Sequence, residues 1–163
     1  MSRKKYLTFL NNCGIIDKKI RKGNIMKNKK QKDTKYVHFF NANPKDKKTG
    51  DCVIRAISTA TGKSWDDVLD ELTEVAHTVK SVPNNKECYE VYLEKNGFIR
   101  CKQPRKDDNT KYRGWEFLDK IKKSDTILCH IGTHHIVAIK NKKIWDIWDC
   151  SYDCVGVYWI KSK

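Results

Sequence analysis

Residues 49–62, TGDCVIRAISTATG, place a cysteine at the start of a short apolar helix. Asn43-Pro44, a run of charged residues and Gly50 come before it, and these are strong loop signals. Gly62 is suited to end the helix. The apolar residues within the segment recur at helical spacing: Val53, Ile54, Ala56, Ile57 and Ala60.

Cys52 therefore lies in the first turn of a helix that follows a glycine-containing loop. The free N–H groups and the dipole at a helix N-terminus favour a thiolate, which is the nucleophilic form of cysteine. The other six cysteines of the chain do not clearly show this context. We therefore take Cys52 as the candidate nucleophile.

The rest of the chain predicts an α+β fold in which helices come first and an antiparallel sheet second. A second helix begins after the N-cap Ser64, a third spans residues 86–95 and a short fourth spans 115–121. Residues 98–113 are expected to be irregular. YVHFF at 36–40 alternates only weakly and fits either a strand or an extended lead-in. Four runs rich in Ile, Val, Trp and Tyr follow residue 125, with Asn141-Lys142 as a tight hairpin turn.

A cysteine nucleophile needs a nearby base and a group that orients the base. His134 and His135 open the strand HIVAIK and point to opposite faces. His135 shares its face with Val137 and Ile139, so we favour it and keep His134 as the alternative base. A two-residue turn pairs Lys140 with Lys143, and this register favours Asp146 as the orienting acid over Asp149.

The blocks TGDCVIRAIS, HHIVAIKNKKIWDIWDCS and VGVYW resemble a group of small phage-encoded papain-like cysteine peptidases. They are similar, more loosely, to bacteriocin-processing peptidases and transglutaminase-like folds. The resemblance covers about residues 38–160. It implies a papain-like domain with Cys52 as the nucleophile, His135 as the general base and Asp149, at the end of the next strand, as the orienter, with Asp146 as the alternative.

The resemblance also implies an oxyanion hole formed by the backbone N–H of Cys52 and a side-chain donor about six residues upstream. The family has a glutamine there, whereas this chain has Asp46, which does not donate when it is ionised. Asn43 is the nearest side chain that could donate, and Asn41 is the next. The reaction implied is acyl transfer on a peptide or protein substrate, as a peptidase or amidase, with no cofactor and no metal.

Charge divides the chain into a basic arm, 1–35, and a domain, 36–163. The chain has a net charge of +14, and the arm supplies +10 of it from twelve basic and two acidic residues. Such an arm is a candidate site for nucleic acid or another polyanion. No apolar run is long enough to span a bilayer, and a signal peptide is not expected, so we predict no membrane partner and a cytoplasmic protein, in the host cytoplasm if phage-encoded.

Two other function classes fit parts of the sequence. The first is a binding module for nucleic acid or a host protein, acting in phage counter-defence on a peptidase-like fold without activity. The second is a zinc-binding domain, since a few potential zinc ligands fall close together near the C-terminus. Those ligands are Cys129, His130, His134, Cys150 and Cys154.

Overall fold

The computed structural model describes residues 31–161, and the first 30 residues of the basic arm lie outside this range. Helices and strands are more intermixed along the chain than the sequence suggests. They are, in chain order, β1 (Val37–Phe39), α1 (Cys52–Thr61), α2 (Trp65–Val79), α3 (Lys86–Lys95), β2 (Phe98–Cys101), α4 (Gly114–Phe117), β3 (Thr126–Ile131), β4 (His135–Lys140), β5 (Lys143–Asp146) and β6 (Val155–Lys161).

Local signals set the ends of the first two helices as the sequence predicts. Gly62 follows α1 with a φ of 78°, and its N–H donates to the Ser58 carbonyl. The Ser64 side chain caps α2 by accepting from the Asp67 N–H. Cys52 is thus the first residue of a well-defined ten-residue helix.

The strands form one six-stranded sheet in the order β1-β5-β4-β3-β6-β2. The central strands β3 and β4 are covered on both faces. Helices α1, α2 and α3 pack against one face, on Leu128, Ile136, Ala138 and Trp159. Phe117, Leu118 and Ile121, from α4 and the residues after it, pack against the other face. Burial of both faces explains why β3 and β4 are almost continuously apolar.

The β4–β5 hairpin has the predicted register. Asn141 and Lys142 both have positive φ, at 52° and 57°, as a two-residue hairpin turn requires. Lys140 pairs with Lys143, and Ala138 with Trp145. This register carries Asp146 to the level of Val137, close to the start of β4 where His135 lies.

Three fold predictions need correction. The sheet is mixed, because β1 pairs with β5 in parallel. It is not confined to the C-terminal region, because β1 precedes the helices and β2 pairs with β6 within the segment expected to be irregular. The fourth helix begins at Gly114 and is only four residues long. β1 and β2 are short edge strands whose few residues give too little alternation to be read with assurance.

Two further observations bear on the chain's organisation. Contacts with the sheet begin slightly before residue 36, since Asp33 accepts hydrogen bonds from the Phe39 N–H and His38. None of the helices within residues 31–161 is long and apolar enough to cross a membrane.

Gly114 lets α4 pack closely against the loop between β5 and β6, which carries residues of the candidate site. A Cβ at Gly114 would lie 2.8 Å from Ile131 Cδ1 and 2.9 Å from the Ser151 carbonyl oxygen. We predict that Gly114→Ala lowers the free energy of unfolding by about 1–3 kcal/mol, the usual cost of overpacking. Urea denaturation would measure it, with Gly50→Ala as the control because its Cβ would meet nothing within 4 Å. Equal effects of the two substitutions would contradict the prediction.

Candidate active site

Cys52 is half-buried at the N-terminus of α1, where the first N–H groups of the helix have no partner within the helix. Burial by itself raises the pKa of the thiol. Hydrogen bonds from His135 and from the Ile136 backbone N–H, together with the charge of Arg55, outweigh burial and lower the pKa of Cys52 below its ordinary value. These surroundings favour a thiolate at Cys52.

His135 is held by Asp146. Its Nε2 lies 2.5 Å from Asp146 Oδ2, and the carboxylate is almost fully buried. Burial disfavours the charged ring, but hydrogen bonds with Asp146, Cys150 and Cys52 raise the pKa of His135 to about 11. Because Nε2 bonds to Asp146, Nδ1 is the ring nitrogen that remains for the hydrogen bond with Cys52. The arrangement favours a thiolate–imidazolium pair.

The acid beside His135 is therefore Asp146, and the placement of Asp149 there is corrected. Asp149 is exposed, and its Oδ1 accepts from the Ser151 N–H at 3.0 Å and from the Ser151 hydroxyl at 2.6 Å. It stabilises the loop after β5 rather than the imidazole. His134, the alternative base, is exposed in the turn before β4.

Trp148 covers the pair formed by His135 and Asp146. Its ring meets the imidazole edge-on with centroids 5.1 Å apart, and its Nε1 lies 3.1 Å from His135 Nε2. When Nε2 carries the proton that it donates to Asp146, it cannot also accept from the indole N–H. Trp148 then contributes a packing contact with the imidazole, while 56% of its own surface remains exposed.

A second thiol, Cys150, lies against the same pair. Its Sγ is 3.7 Å from Asp146 Oδ2, and the residue is buried. Burial is the main cause that raises the pKa of Cys150, and the nearby Asp146 carboxylate adds to it. Cys150 therefore remains a neutral thiol that donates to the carboxylate, whereas Cys52 is the thiol set up to ionise.

Arg55, one turn along α1 from Cys52, contacts both buried carboxylates of the site, Asp51 and Asp146. Its guanidinium forms an ion pair with Asp51, the N-cap residue, and lies 3.7 Å from Asp146 Oδ1. All three side chains are buried. Asp51 also accepts from the Trp65 indole at 2.9 Å and from the Asn43 amide at 3.0 Å. Because Asp51 is used in this way, it does not cap the helix, and the first N–H groups remain available near Cys52.

The Asn43 amide is held by hydrogen bonds within the loop before Cys52. Nδ2 donates to Asp51, and Oδ1 accepts from the Lys45 N–H at 3.0 Å. Asn41, the next candidate, donates to Asp46 and to the Lys47 carbonyl. Both amides therefore hold the loop that leads to Cys52, and neither contact points to an oxyanion donor.

Within the part of the chain that the structure describes, no three of the candidate zinc ligands lie close together. His130 Nε2 is 2.6 Å from the Tyr89 hydroxyl, and Cys129 is fully buried with a pKa raised by burial. Within residues 31–161, one group of three potential metal ligands lies together: His135, Asp146 and Cys150, with ligand atoms within 4.8 Å of one another. Only Cys150 of the proposed zinc set belongs to it, and a metal there would have to displace the proton between His135 and Asp146.

Sequence reasoning missed Arg55, Asp51 and Trp148 as parts of the site. Arg55 left a signal, since it is the lone charge within the apolar run VIRAI and lies one turn from Cys52. A buried charge without a partner is costly, so a charge at such a position implies a buried counterion. Trp148 left no comparable signal.

Comparison with known proteins adds no family to this picture. No protein-family model, curated protein or solved structure matches the chain significantly.

We predict that Arg55→Met destabilises the protein by about 3–5 kcal/mol, because it leaves two buried carboxylates without their shared cation. Lys63→Met is the matched control. It removes the partly exposed ion pair with Glu71, which contributes at most about 1 kcal/mol. Urea denaturation of both variants tests this, and similar losses would show that Arg55 carries no special electrostatic role.

The site also predicts how the reactivity of Cys52 depends on pH. The rate at which iodoacetamide alkylates Cys52 should rise with pH as the thiol ionises. Because the pKa of Cys52 is lowered, the rate should reach its plateau at a lower pH than it does for an ordinary thiol. In His135→Ala the imidazolium is lost, so the midpoint should move to higher pH. Mass spectrometry of labelled Cys52 measures both profiles, with Cys150→Ser as the control that keeps His135. Identical midpoints in wild type and His135→Ala would contradict the prediction.

Proposed function

We propose that this protein is a papain-like cysteine hydrolase, a peptidase or amidase that transfers an acyl group through Cys52, His135 and Asp146. The observation that carries the proposal is the placement of His135 between a half-buried thiol at a helix N-terminus and a buried carboxylate. The order along the chain supports it as well, with the nucleophile on α1, the base opening β4 and the acid ending β5.

The first half of the reaction forms a thioester. The Cys52 sulfur attacks the substrate carbonyl carbon, and the carbonyl electron pair moves to oxygen. When the C=O bond re-forms, the bond to the leaving group breaks, and the imidazolium of His135 protonates that group. Asp146 holds the ring by its Nε2 so that Nδ1 faces the reaction.

The second half releases the acid. The neutral His135 takes a proton from water, whose oxygen attacks the thioester carbonyl, and the Cys52 thiolate leaves. The proton taken from water leaves His135 as an imidazolium beside the Cys52 thiolate, which restores the starting ion pair. Asp146, with Arg55 as its nearby cation, stabilises each imidazolium through its hydrogen bond with Nε2.

Substitution of the two aspartates tests the assignment of the acid. We predict that Asp146→Asn lowers the rate of acyl transfer from a p-nitrophenyl ester by about 10²–10⁴-fold, since a neutral amide neither holds the tautomer nor stabilises the imidazolium. Asp149→Asn, three residues away and bound to Ser151, should change it by less than about threefold. The readout is p-nitrophenolate release, corrected by Cys52→Ser.

Either of two results would overturn the proposal. If the wild-type rate is no greater than the rate of Cys52→Ser, Cys52 is not a nucleophile. A larger loss in Asp149→Asn than in Asp146→Asn would return the orienting role to the acid favoured by the resemblance.

A further inference from the structure

Tyr89 on α3, a member of the core cluster on which Cys52 packs, forms a hydrogen-bonded pair with His130 on β3. The Tyr89 hydroxyl is 2.6 Å from His130 Nε2. Both rings pack on Trp159, with centroid distances of 5.8 Å for Tyr89 and 5.3 Å for His130. Gly156 makes room for His130, since a Cβ there would lie 3.0 Å from His130 Cβ. The pair is therefore held firmly by its surroundings.

Two connections bring this pair to the nucleophile. Two residues before α3, Asn84 Nδ2 donates to the Gly50 carbonyl at 2.6 Å, which ties the segment leading into the helix to the loop just before Cys52. On the sheet, His130 is the cross-strand partner of Ile136, whose N–H bonds to the Cys52 sulfur. Tyr89 and Ile136 also belong to the core cluster on which Cys52 packs.

The protonation states suit a hydrogen-bond donor. Burial is the main cause that lowers the pKa of His130, and Lys86 adds to it, so the ring is neutral at neutral pH. Burial also raises the pKa of Tyr89, and the negative charges of Glu90 and Cys52 raise it further, so the phenol keeps its proton. A neutral imidazole that donates from Nε2 to the Tyr89 oxygen leaves the phenolic hydrogen free for another acceptor.

We propose that the Tyr89 hydroxyl, positioned by His130, is the side-chain donor that stabilises the oxyanion formed when Cys52 attacks a carbonyl. This inference rests on the proposed hydrolase function. The oxyanion arises when the S–C bond forms and the carbonyl electron pair moves to oxygen. It accepts hydrogen bonds from Tyr89 and from the Cys52 backbone N–H, and no proton is transferred from Tyr89. The Asn43 amide, by contrast, is bound to Asp51.

Two reactions of the same sulfur separate this role from a structural one. Iodoacetamide is attacked at a CH₂ carbon and forms no oxyanion, whereas p-nitrophenyl acetate is attacked at a carbonyl and forms one. In Tyr89→Phe we expect acylation of Cys52 to fall by about 10–10³-fold, the range for loss of one oxyanion donor or less. Alkylation should stay within about twofold, since the thiolate and His135 are unchanged.

The matched variants are His130→Gln and Tyr92→Phe. His130→Gln should lower acylation relative to alkylation in the same direction as Tyr89→Phe, because Tyr89 loses its orienting partner. Tyr92 lies one turn further along α3, and its hydroxyl bonds to Glu71 at 2.5 Å. Tyr92→Phe should therefore leave the ratio of the two rates unchanged.

The outcomes distinguish the two proposals. If Tyr89→Phe leaves acylation unchanged, or lowers both rates equally, Tyr89 is not an oxyanion donor, although Cys52 remains an active nucleophile. If wild-type Cys52 reacts with neither reagent faster than the other cysteines, the hydrolase proposal fails and the oxyanion assignment falls with it.

Discussion

The site depends on the ion pairs that the buried Arg55 guanidinium forms with two buried carboxylates. The guanidinium lies between Asp51, which precedes Cys52, and Asp146, which holds His135, and all three groups are withdrawn from water. One cation facing two carboxylates leaves a net negative charge in the core, so further donors are needed. The Trp65 indole and the Asn43 amide supply them at Asp51, and the His135 imidazolium supplies the second positive charge at Asp146. Folding of α1 against β4 and β5 thus assembles the site and balances its charge together.

Burial and nearby charges together give the two cysteines at one imidazole opposite pKa shifts. Cys52 lies at the positive end of α1, near Arg55, and receives hydrogen bonds from His135 and a backbone N–H, so its pKa falls. Cys150 is more deeply buried and faces the Asp146 carboxylate, so its pKa rises. Both sulfurs bond to the imidazole, so the deeper burial of Cys150 and its Asp146 neighbour, against the backbone N–H donor and Arg55 at Cys52, decide which sulfur ionises.

Local sequence signals predicted the elements that carry the site, but not all of their contacts. The cysteine helix and the hairpin register depend on nearby residues, so Cys52, His135 and the favourable register of Asp146 could be inferred from periodicity and turn chemistry. The family resemblance pointed to Asp149 instead, because distance along the chain cannot show that the Asp149 carboxylate bonds to Ser151 while the Asp146 carboxylate reaches His135. The edge strands β1 and β2 and the contact between Arg55 and Asp146 depend on pairings distant in sequence, which a single chain's pattern does not reveal.

Two neighbouring strands thus present two histidines in contrasting environments. His135 faces a buried carboxylate and is favoured as a cation, whereas His130 faces a phenol and nearby Lys86 and is favoured as a neutral ring. An imidazolium can stabilise a thiolate and later give up a proton, while a neutral imidazole can orient a hydroxyl without adding charge. A cationic His130 would also make Tyr89 lose its proton more easily. The different partners of the two rings thus suit His135 to the proton transfer that we propose and His130 to a fixed hydrogen bond with Tyr89.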